Sequence, residues 1–171
     1  QDMVRLIKHD RHAYRHDEWK SDLLYLKVVY NKSINSYVEI GYDEIMKSII
    51  VSFRGTKYSN EKGFPDFKNI LADLNIGEVD YKELCEKCKV HKGFLNCFQA
   101  IKEEVFNHIK ELKEKYPSSP IIFSGHSYGG SLAVLASITY YKNVSQSFSA
   151  MFWNLLGIKE DISLITFGQP R

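Results

Sequence analysis

The stretch IIFSGHSYGGSLAVLA, residues 121–136, passes from an unbroken apolar run through a serine between glycines into a helical pattern. The run 121–124 predicts a buried strand, and residues 128–141 predict a helix that follows it directly. Gly125, Ser127 and Gly129 form a GxSxG pattern at this junction. A tight strand-to-helix turn there would project the serine hydroxyl beside a helix N-terminus, which favours developing negative charge. The alternative is a glycine-rich turn that carries an ordinary serine.

The pattern of the remaining elements predicts an α/β fold with a largely parallel central sheet. The predicted elements are a helix over 17–31, an antiparallel hairpin made of 36–43 and 47–53, an amphipathic helix over 93–117 that stops before Pro117, and a buried strand over 162–167. No repeat or linker interrupts the sequence. We therefore expect residues 1–171 to form a single domain.

Composition excludes several classes of function. The 171 residues are 44% hydrophobic and 26% charged, with a net charge of +2. Since no block of like charge stands out, nucleic acid is not expected as a partner. No run of 18 apolar residues is present, and a transmembrane segment is not expected.

The two ends suggest a processed or partial chain. Gln1 follows neither a methionine nor an apolar leader, and the sequence stops at TFGQPR, an apolar run followed by Gly, Pro and Arg. This ending resembles the middle of a domain. We expect polypeptide after Arg171, in the same chain or held as a second one.

Three cysteines lie close together, Cys85 and Cys88 in a CxxC pattern and Cys97 nearby. A structural zinc site needs four ligands, and this CxxC has no second pair, so that His91 would be only a third ligand beside Cys85 and Cys88. A Cys85–Cys88 disulfide in an oxidising compartment is favoured over two free thiols. Cys97 is then a buried thiol or the partner of a cysteine elsewhere. Two glycosylation sequons, at Asn31 and Asn143, fit a secretory route.

A second stretch, IIVSFRGTKYS over 49–59, is a strand that ends in Arg-Gly-Thr. A tetrahedral oxyanion needs two donors, and the backbone N–H of Tyr128 supplies one of them. Thr56 is the candidate for the other, through its backbone N–H and its hydroxyl. Taken alone, FRGT favours the alternative of a strand that simply ends in a tight turn.

Five motifs in order, SFRGT, NILADL, VHKGF, GHSYGG and TFGQPR, resemble the class 3 lipase family, the secreted fungal-type triacylglycerol lipases. The resemblance covers residues from about 15 to Arg171 and implies an α/β-hydrolase fold. It implies Ser127 as nucleophile, Thr56 and Tyr128 as the oxyanion hole, and no metal or organic cofactor. At position 128 the family most often has leucine, so we expect Tyr128 to change the wall of the acyl site more than the chemistry.

The resemblance also suggests a lid between FRGT and VHKGF. Apolar residues at three- and four-residue spacing predict a short helix there, with Pro65 suited to its first turn. These residues are Phe64, Phe67, Ile70, Leu71 and Leu74. Such a helix would cover the site in water and face lipid at an interface, or it would be a core-facing surface helix. By family position Asp73 supports the base of the lid or the Thr56 hydroxyl.

The partners of a catalytic serine are missing from the sequence. In α/β-hydrolases the acid and then the histidine follow the serine, yet no histidine follows His126. His126 is interpreted as packing, and Asp161 falls at the wrong end of its strand. His91 and His108 precede the serine, as do His9, His12 and His16 in a polar N-terminal stretch. The aspartate and histidine are therefore expected beyond Arg171.

The resulting expectation is a secreted serine hydrolase that acts on lipid esters at an interface, most of all on triacylglycerol. Phospholipid, feruloyl and other carboxylic esters are cleaved by the same machinery. A catalytically silent hydrolase fold that binds lipid or protein is the competing hypothesis. Peptidases and thioesterases share GxSxG but not the other motifs.

Overall fold

A five-stranded mixed sheet forms the centre of the fold. The computed structural model describes residues 2–14, 21–55, 77–146 and 161–168. In the sheet the strands lie in the order 24–31, 36–43, 48–53, 121–126 and 162–167, and the strands 78–80 and 89–91 pair in a separate ribbon. The first three strands of the sheet pair antiparallel to one another. The strand 121–126 pairs parallel both to 48–53 and to 162–167. The parallel part of the sheet is therefore the part that carries the motifs.

The elements have the following bounds. The strands are β1 Leu24–Asn31, β2 Ser36–Asp43, β3 Ser48–Phe53, β4 Glu78–Asp80, β5 Lys89–His91, β6 Ile121–His126 and β7 Ile162–Phe167. The helices are α1 Asp2–Tyr14, α2 Lys92–Gln99, α3 Lys102–Lys115 and α4 Tyr128–Ser145, with a short 3-10 turn at Lys32–Ile34. The predicted hairpin, the strands at 121 and 162 and the helix at 128 are confirmed.

Helices cover both faces of the sheet, and the alternation of strand residues decides which side each one meets. Ile49, Val51 and Phe53 of β3 belong to a large apolar cluster with α2, α3 and α4. Ile50 faces the other way, in a smaller cluster with Leu6 of α1. A parallel strand that is covered on both faces has a nearly continuous run of apolar residues. The sequence therefore predicts β3 and β6 as strands.

The helix predicted over 17–31 is wrong, since residues 24–31 form the edge strand β1. Leucines at 23, 24 and 26 imitate helical spacing, but the following Val28, Val29 and Tyr30 favour an extended backbone. Hydrogen bonding to β2 settles the conformation. A register shift between Leu24 and Lys27 accompanies the positive φ of 53° at Tyr25.

Two other elements differ from the prediction. The helix expected over 93–117 is divided into α2 and α3 by Ala100 and Ile101, and the buried Ile101 has a non-helical φ of −123°. It does end before Pro117, as predicted. Strand β7 is half-exposed rather than buried, with Leu164 40% exposed.

The N-terminal stretch that was interpreted as polar is the helix α1, packed on the sheet. Its His9 and His12 are buried against carboxylates of β2. His9 Nε2 lies 2.7 Å from Asp43 Oδ2, and His12 Nδ1 lies 2.7 Å from Glu39 Oε1. Polar side chains on the buried face of α1 hid its amphipathic pattern from sequence analysis.

The Cys85–Cys88 disulfide is confirmed. It closes the turn between β4 and β5, where Tyr81 N–H donates to Cys88 O at 2.8 Å and Leu84 N–H donates to Tyr81 O at 2.9 Å. Cys97 is a half-buried free thiol.

Candidate active site

Ser127 occupies the single residue between β6 and α4, in a strained conformation. Its φ of 54° and ψ of −126° lie where residues with a Cβ are rarely found. The backbone is held there from both sides, because Ser127 N–H donates to Phe167 O at 2.8 Å and Gly130 N–H donates to Ser127 O at 2.9 Å. This is the geometry of a nucleophile elbow.

The glycines of the motif permit close backbone packing around this turn. A Cβ on Gly125 would lie 2.5 Å from the carbonyl carbon of Gly129. A Cβ on Gly129 would lie 2.7 Å from the carbonyl carbon of Arg54 and closer still to Phe53 O. The first turn of α4 therefore lies directly against the end of β3, the strand that leads into FRGT.

The end of β7 completes the described part of the site. His126 pairs in register with Phe167, and Gly168 follows with a φ of 56°. The His126 ring is exposed and lies beside Gly168. A Cβ at position 168 would be 3.3 Å from its Nε2. The Asp161 backbone oxygen bonds to Ile121 N–H at the opposite end of the sheet from Ser127, as predicted.

Tyr128 presents its backbone and its side chain to different surroundings. Its N–H belongs to the first turn of α4, where backbone donors have no acceptor within the helix. Its ring is buried, 5.8 Å from the Phe94 ring of α2, and burial raises the pKa of the phenol. The ring is thus packed between α4 and α2.

The other histidines of the described chain serve local structure. His91 Nδ1 accepts from Gly93 N–H at 3.1 Å and caps α2, and its ring packs on Phe94. His108 lies 3.4 Å from Glu111 on α3. Burial lowers the pKa of His9, and its bond to Asp43 only partly offsets this effect.

Asp10 is the residue that sequence analysis missed. Its Oδ1 accepts from Ser52 Oγ at 2.6 Å and from Ser124 Oγ at 2.7 Å, and the side chain is buried in the α1–sheet contact. The signal available in the sequence is the spacing of Leu6, Asp10 and Ala13, which places Asp10 on the buried face of a helix.

Several predicted features lie outside the described residues. These are Thr56, the proposed lid helix with Asp73, and His16. Within residues 2–14, 21–55, 77–146 and 161–168 no group of histidine, cysteine and carboxylate side chains is arranged to hold a metal ion. No helix in those same ranges is long and apolar enough to cross a membrane.

Comparison with known proteins gives consistent results. The family profile described as "Lipase (class 3)" matches residues 50–171. "Lipase A" of Sodiomyces alcalophilus is 32% identical over 135 residues, which cover 73% of this chain and 29% of that protein. "Secreted mono- and diacylglycerol lipase 2" of Gibberella zeae is 30% identical over 141 residues, covering 72% of this chain and 29% of that protein.

A solved structure has the same fold. The lipase from Rhizopus microsporus var. chinensis superposes with a TM-score of 0.77 at 23% identity, over 99% of this chain and 57% of that one. At this identity the likeness shows the fold alone. The chain thus spans about a third of the length of the relatives above and somewhat over half of this solved chain.

Proposed function

Because this chain belongs to the class 3 lipase family, we propose that the full-length protein is a serine hydrolase that cleaves carboxylic esters of lipids, above all acylglycerols. Ser127 is the nucleophile. The observation that carries the proposal is the strained Ser127 backbone at the β6–α4 junction, with φ 54°. An ordinary serine needs no such conformation, and strain of this kind concentrates at functional sites.

The reaction is acyl transfer in two steps. Ser127 Oγ attacks the ester carbonyl, its proton passes to a histidine, and the oxyanion receives hydrogen bonds from the backbone N–H groups of Tyr128 and Thr56. The alcohol leaves with that proton, and water then releases the fatty acid from the acyl-enzyme. The histidine and its orienting aspartate are proposed to lie beyond residue 171 of the full-length protein, in the family order.

The packing at Gly129 supports the role of Thr56. Since α4 lies against Phe53 and Arg54, the backbone at Arg54 is close to the turn that carries Ser127. Loss of one oxyanion donor typically lowers the rate by about 10²–10³-fold. A Thr56→Val variant removes the hydroxyl and keeps the backbone N–H, so its loss of rate measures the share of this effect that the hydroxyl supplies.

The names of the relatives support the proposed substrate and location. One relative is named a mono- and diacylglycerol lipase and a secreted protein. The Cys85–Cys88 disulfide also fits an oxidising compartment. We therefore propose a secreted enzyme that meets triacylglycerol or partly hydrolysed acylglycerols at a lipid–water interface, with the segment 61–77 as its lid.

The proposal is tested by hydrolysis of a soluble short-chain ester and of an acylglycerol emulsion by the full-length protein. Ser127→Ala should lower kcat by at least about 10⁴-fold. Ser137→Ala is the matched control, because Ser137 lies within α4, where its hydroxyl donates to Val134 O of the same helix. A folded wild-type protein that hydrolyses no ester would indicate the silent binding module instead, and cleavage of phospholipid or feruloyl esters alone would revise the substrate.

A further inference from the structure

Asp10 of α1 contacts the two strands that lead into the site. One of its oxygens, Oδ1, accepts hydrogen bonds from Ser52 of β3 at 2.6 Å and from Ser124 of β6 at 2.7 Å. Both serines are fully buried, and Asp10 itself is 5% exposed. A single carboxylate oxygen therefore joins three elements at one point.

The two serines are placed where such a link controls the site. Ser52 and Ser124 lie directly opposite each other in the parallel register of β3 and β6. Two residues after Ser52 comes Arg54, against which α4 begins, and three residues after Ser124 comes Ser127. A change in the spacing of these two serines therefore reaches the start of FRGT within one or two residues and the nucleophile within three.

Stability alone does not account for a carboxylate in this position. Burial raises the pKa of Asp10 to about 6, and the hydrogen bonds from Ser52 and Ser124 and the charge of His126 only partly oppose that rise. The second oxygen, Oδ2, is buried and has no hydrogen-bond partner among the residues that the structure describes. A buried carboxylate with an unsatisfied oxygen is destabilising relative to a well-packed apolar side chain, and such groups concentrate at functional sites.

Several polar side chains of α1 contact a different part of the sheet, whereas Leu6 packs with Ile50 of β3 and Ile122 of β6. Arg5 and His9 bind Asp43, and His12 binds Glu39, both on β2. Strand β2 carries none of the motif residues. These contacts and the packing of Leu6 also hold the helix on the sheet, so loss of the bond from Asp10 leaves other docking contacts in place.

We propose that Asp10 is a positioning residue for the reaction of Ser127. By accepting from Ser52 and Ser124 together, it fixes the relative position of the ends of β3 and β6, and with them the distance between the nucleophile and the oxyanion donors. This inference rests on the proposed function.

The test compares variants of the full-length protein. Asp10→Ala removes the acceptor, whereas Asp10→Asn keeps an accepting oxygen and removes the charge. His12→Ala is the matched control, because it breaks a buried contact of the same helix that does not reach β3 or β6. Ser124→Ala, a small change in the strand, serves where Asp10→Ala does not fold.

Each variant is measured for kcat and KM on a soluble ester, for Tm, and for hydrogen exchange in the peptide covering 121–131. Because small misplacements of reacting groups cost up to about 100-fold, we expect Asp10→Ala to lower kcat by about 10-fold or more with KM little changed. Ser124→Ala should lower kcat in the same direction. Asp10→Asn should restore kcat to within about threefold of wild type, as should His12→Ala despite its lower Tm.

Faster hydrogen exchange at 121–131 in Asp10→Ala than in His12→Ala is the expected structural counterpart. The inference is overturned if the two variants lose activity in proportion to their loss of Tm, or if Asp10→Asn is as impaired as Asp10→Ala. A wild-type protein without esterase activity contradicts the proposed function, and the exchange data then still decide whether Asp10 positions the elbow.

Discussion

At the scale of single residues, the geometry of the site depends on glycines that allow backbones to touch. Ser127 holds a conformation that costs about 1–3 kcal/mol, so the surrounding contacts must impose it. The contact of Gly129 with the end of β3 is one of them. It joins the two motif segments without any side chain.

A methyl group at Gly129 should separate these segments. Gly129→Ala places a Cβ 2.7 Å from the carbonyl carbon of Arg54, and backbone on both sides leaves little room to adjust. We expect a loss of about 3 kcal/mol in the free energy of unfolding, measured by urea denaturation. Gly77→Ala is the control, because a Cβ at position 77 would have no atom of the described residues within 4 Å. Equal stability of the two variants would contradict the packing described here.

Asp10 makes a distinctive contribution to the dependence of stability on pH. Burial raises the pKa of its carboxyl from 3.8 to about 6, against the smaller opposing effects of Ser52, Ser124 and His126. Between these values the folded protein binds a proton that the unfolded chain has lost. The free energy of unfolding contributed by Asp10 is therefore greatest below about pH 4 and falls as the pH rises through 6, by on the order of 3 kcal/mol.

The Asp10→Asn variant should lack this fall. The check is the difference in free energy of unfolding between wild type and variant, measured by denaturation from pH 4 to pH 8. The difference should change in favour of the variant as the pH rises. A constant difference over that range would show that Asp10 has an ordinary pKa.

At the scale of elements, the sequence predicted best what local pattern determines. The strand β6, the turn at Ser127 and the helix α4 follow from an apolar run, two glycines and a helical pattern within about 20 residues. The hairpin of β2 and β3 was equally local. Its turn is held by the Asp43 side chain, which accepts from the N–H groups of Ile45 and Met46.

The failures have a physical reason in tertiary contacts. Strand β1 is extended because it forms hydrogen bonds with the edge of β2. The spacing of apolar residues within 17–31 does not show this pairing. Helix α1 buries His9, Asp10 and His12, whose partners are 27 to 114 residues away in sequence. Because the sequence does not show which residues are these partners, the helix face that carries His9, Asp10 and His12 resembles an exposed face. The positioning role proposed for Asp10 could therefore not be predicted.

The β4–β5 turn gives a test at this scale. In the Cys85→Ser, Cys88→Ser double variant, loss of the disulfide that closes this short loop should lower the free energy of unfolding by about 2 kcal/mol. Cys97→Ser is the control, since Cys97 is a free thiol. Thermal denaturation of both variants should show the larger loss in the first. Insensitivity of the double variant would mean that the turn is held by its backbone hydrogen bonds alone.

At the scale of the whole molecule, three parallel strand ends come together around one serine. The ends of β3 and β7 contact the elbow through Gly129 and through the bond from Ser127 to Phe167. Helix α1 lies beneath β3 and β6 and links them through Asp10. Contacts from both the N-terminal helix α1 and the last described strand β7 therefore hold the part of the sheet that carries Ser127.

The most direct test of the central claim, that Ser127 is an activated nucleophile, is covalent labelling of the full-length protein with a lipase-directed phosphonate in mild detergent. Intact mass spectrometry followed by peptide mapping should show one adduct per protein, on Ser127. The adduct should persist in Ser137→Ala and disappear in Ser127→Ala. A folded wild-type protein that stays unlabelled, or an adduct on another residue, would contradict the account.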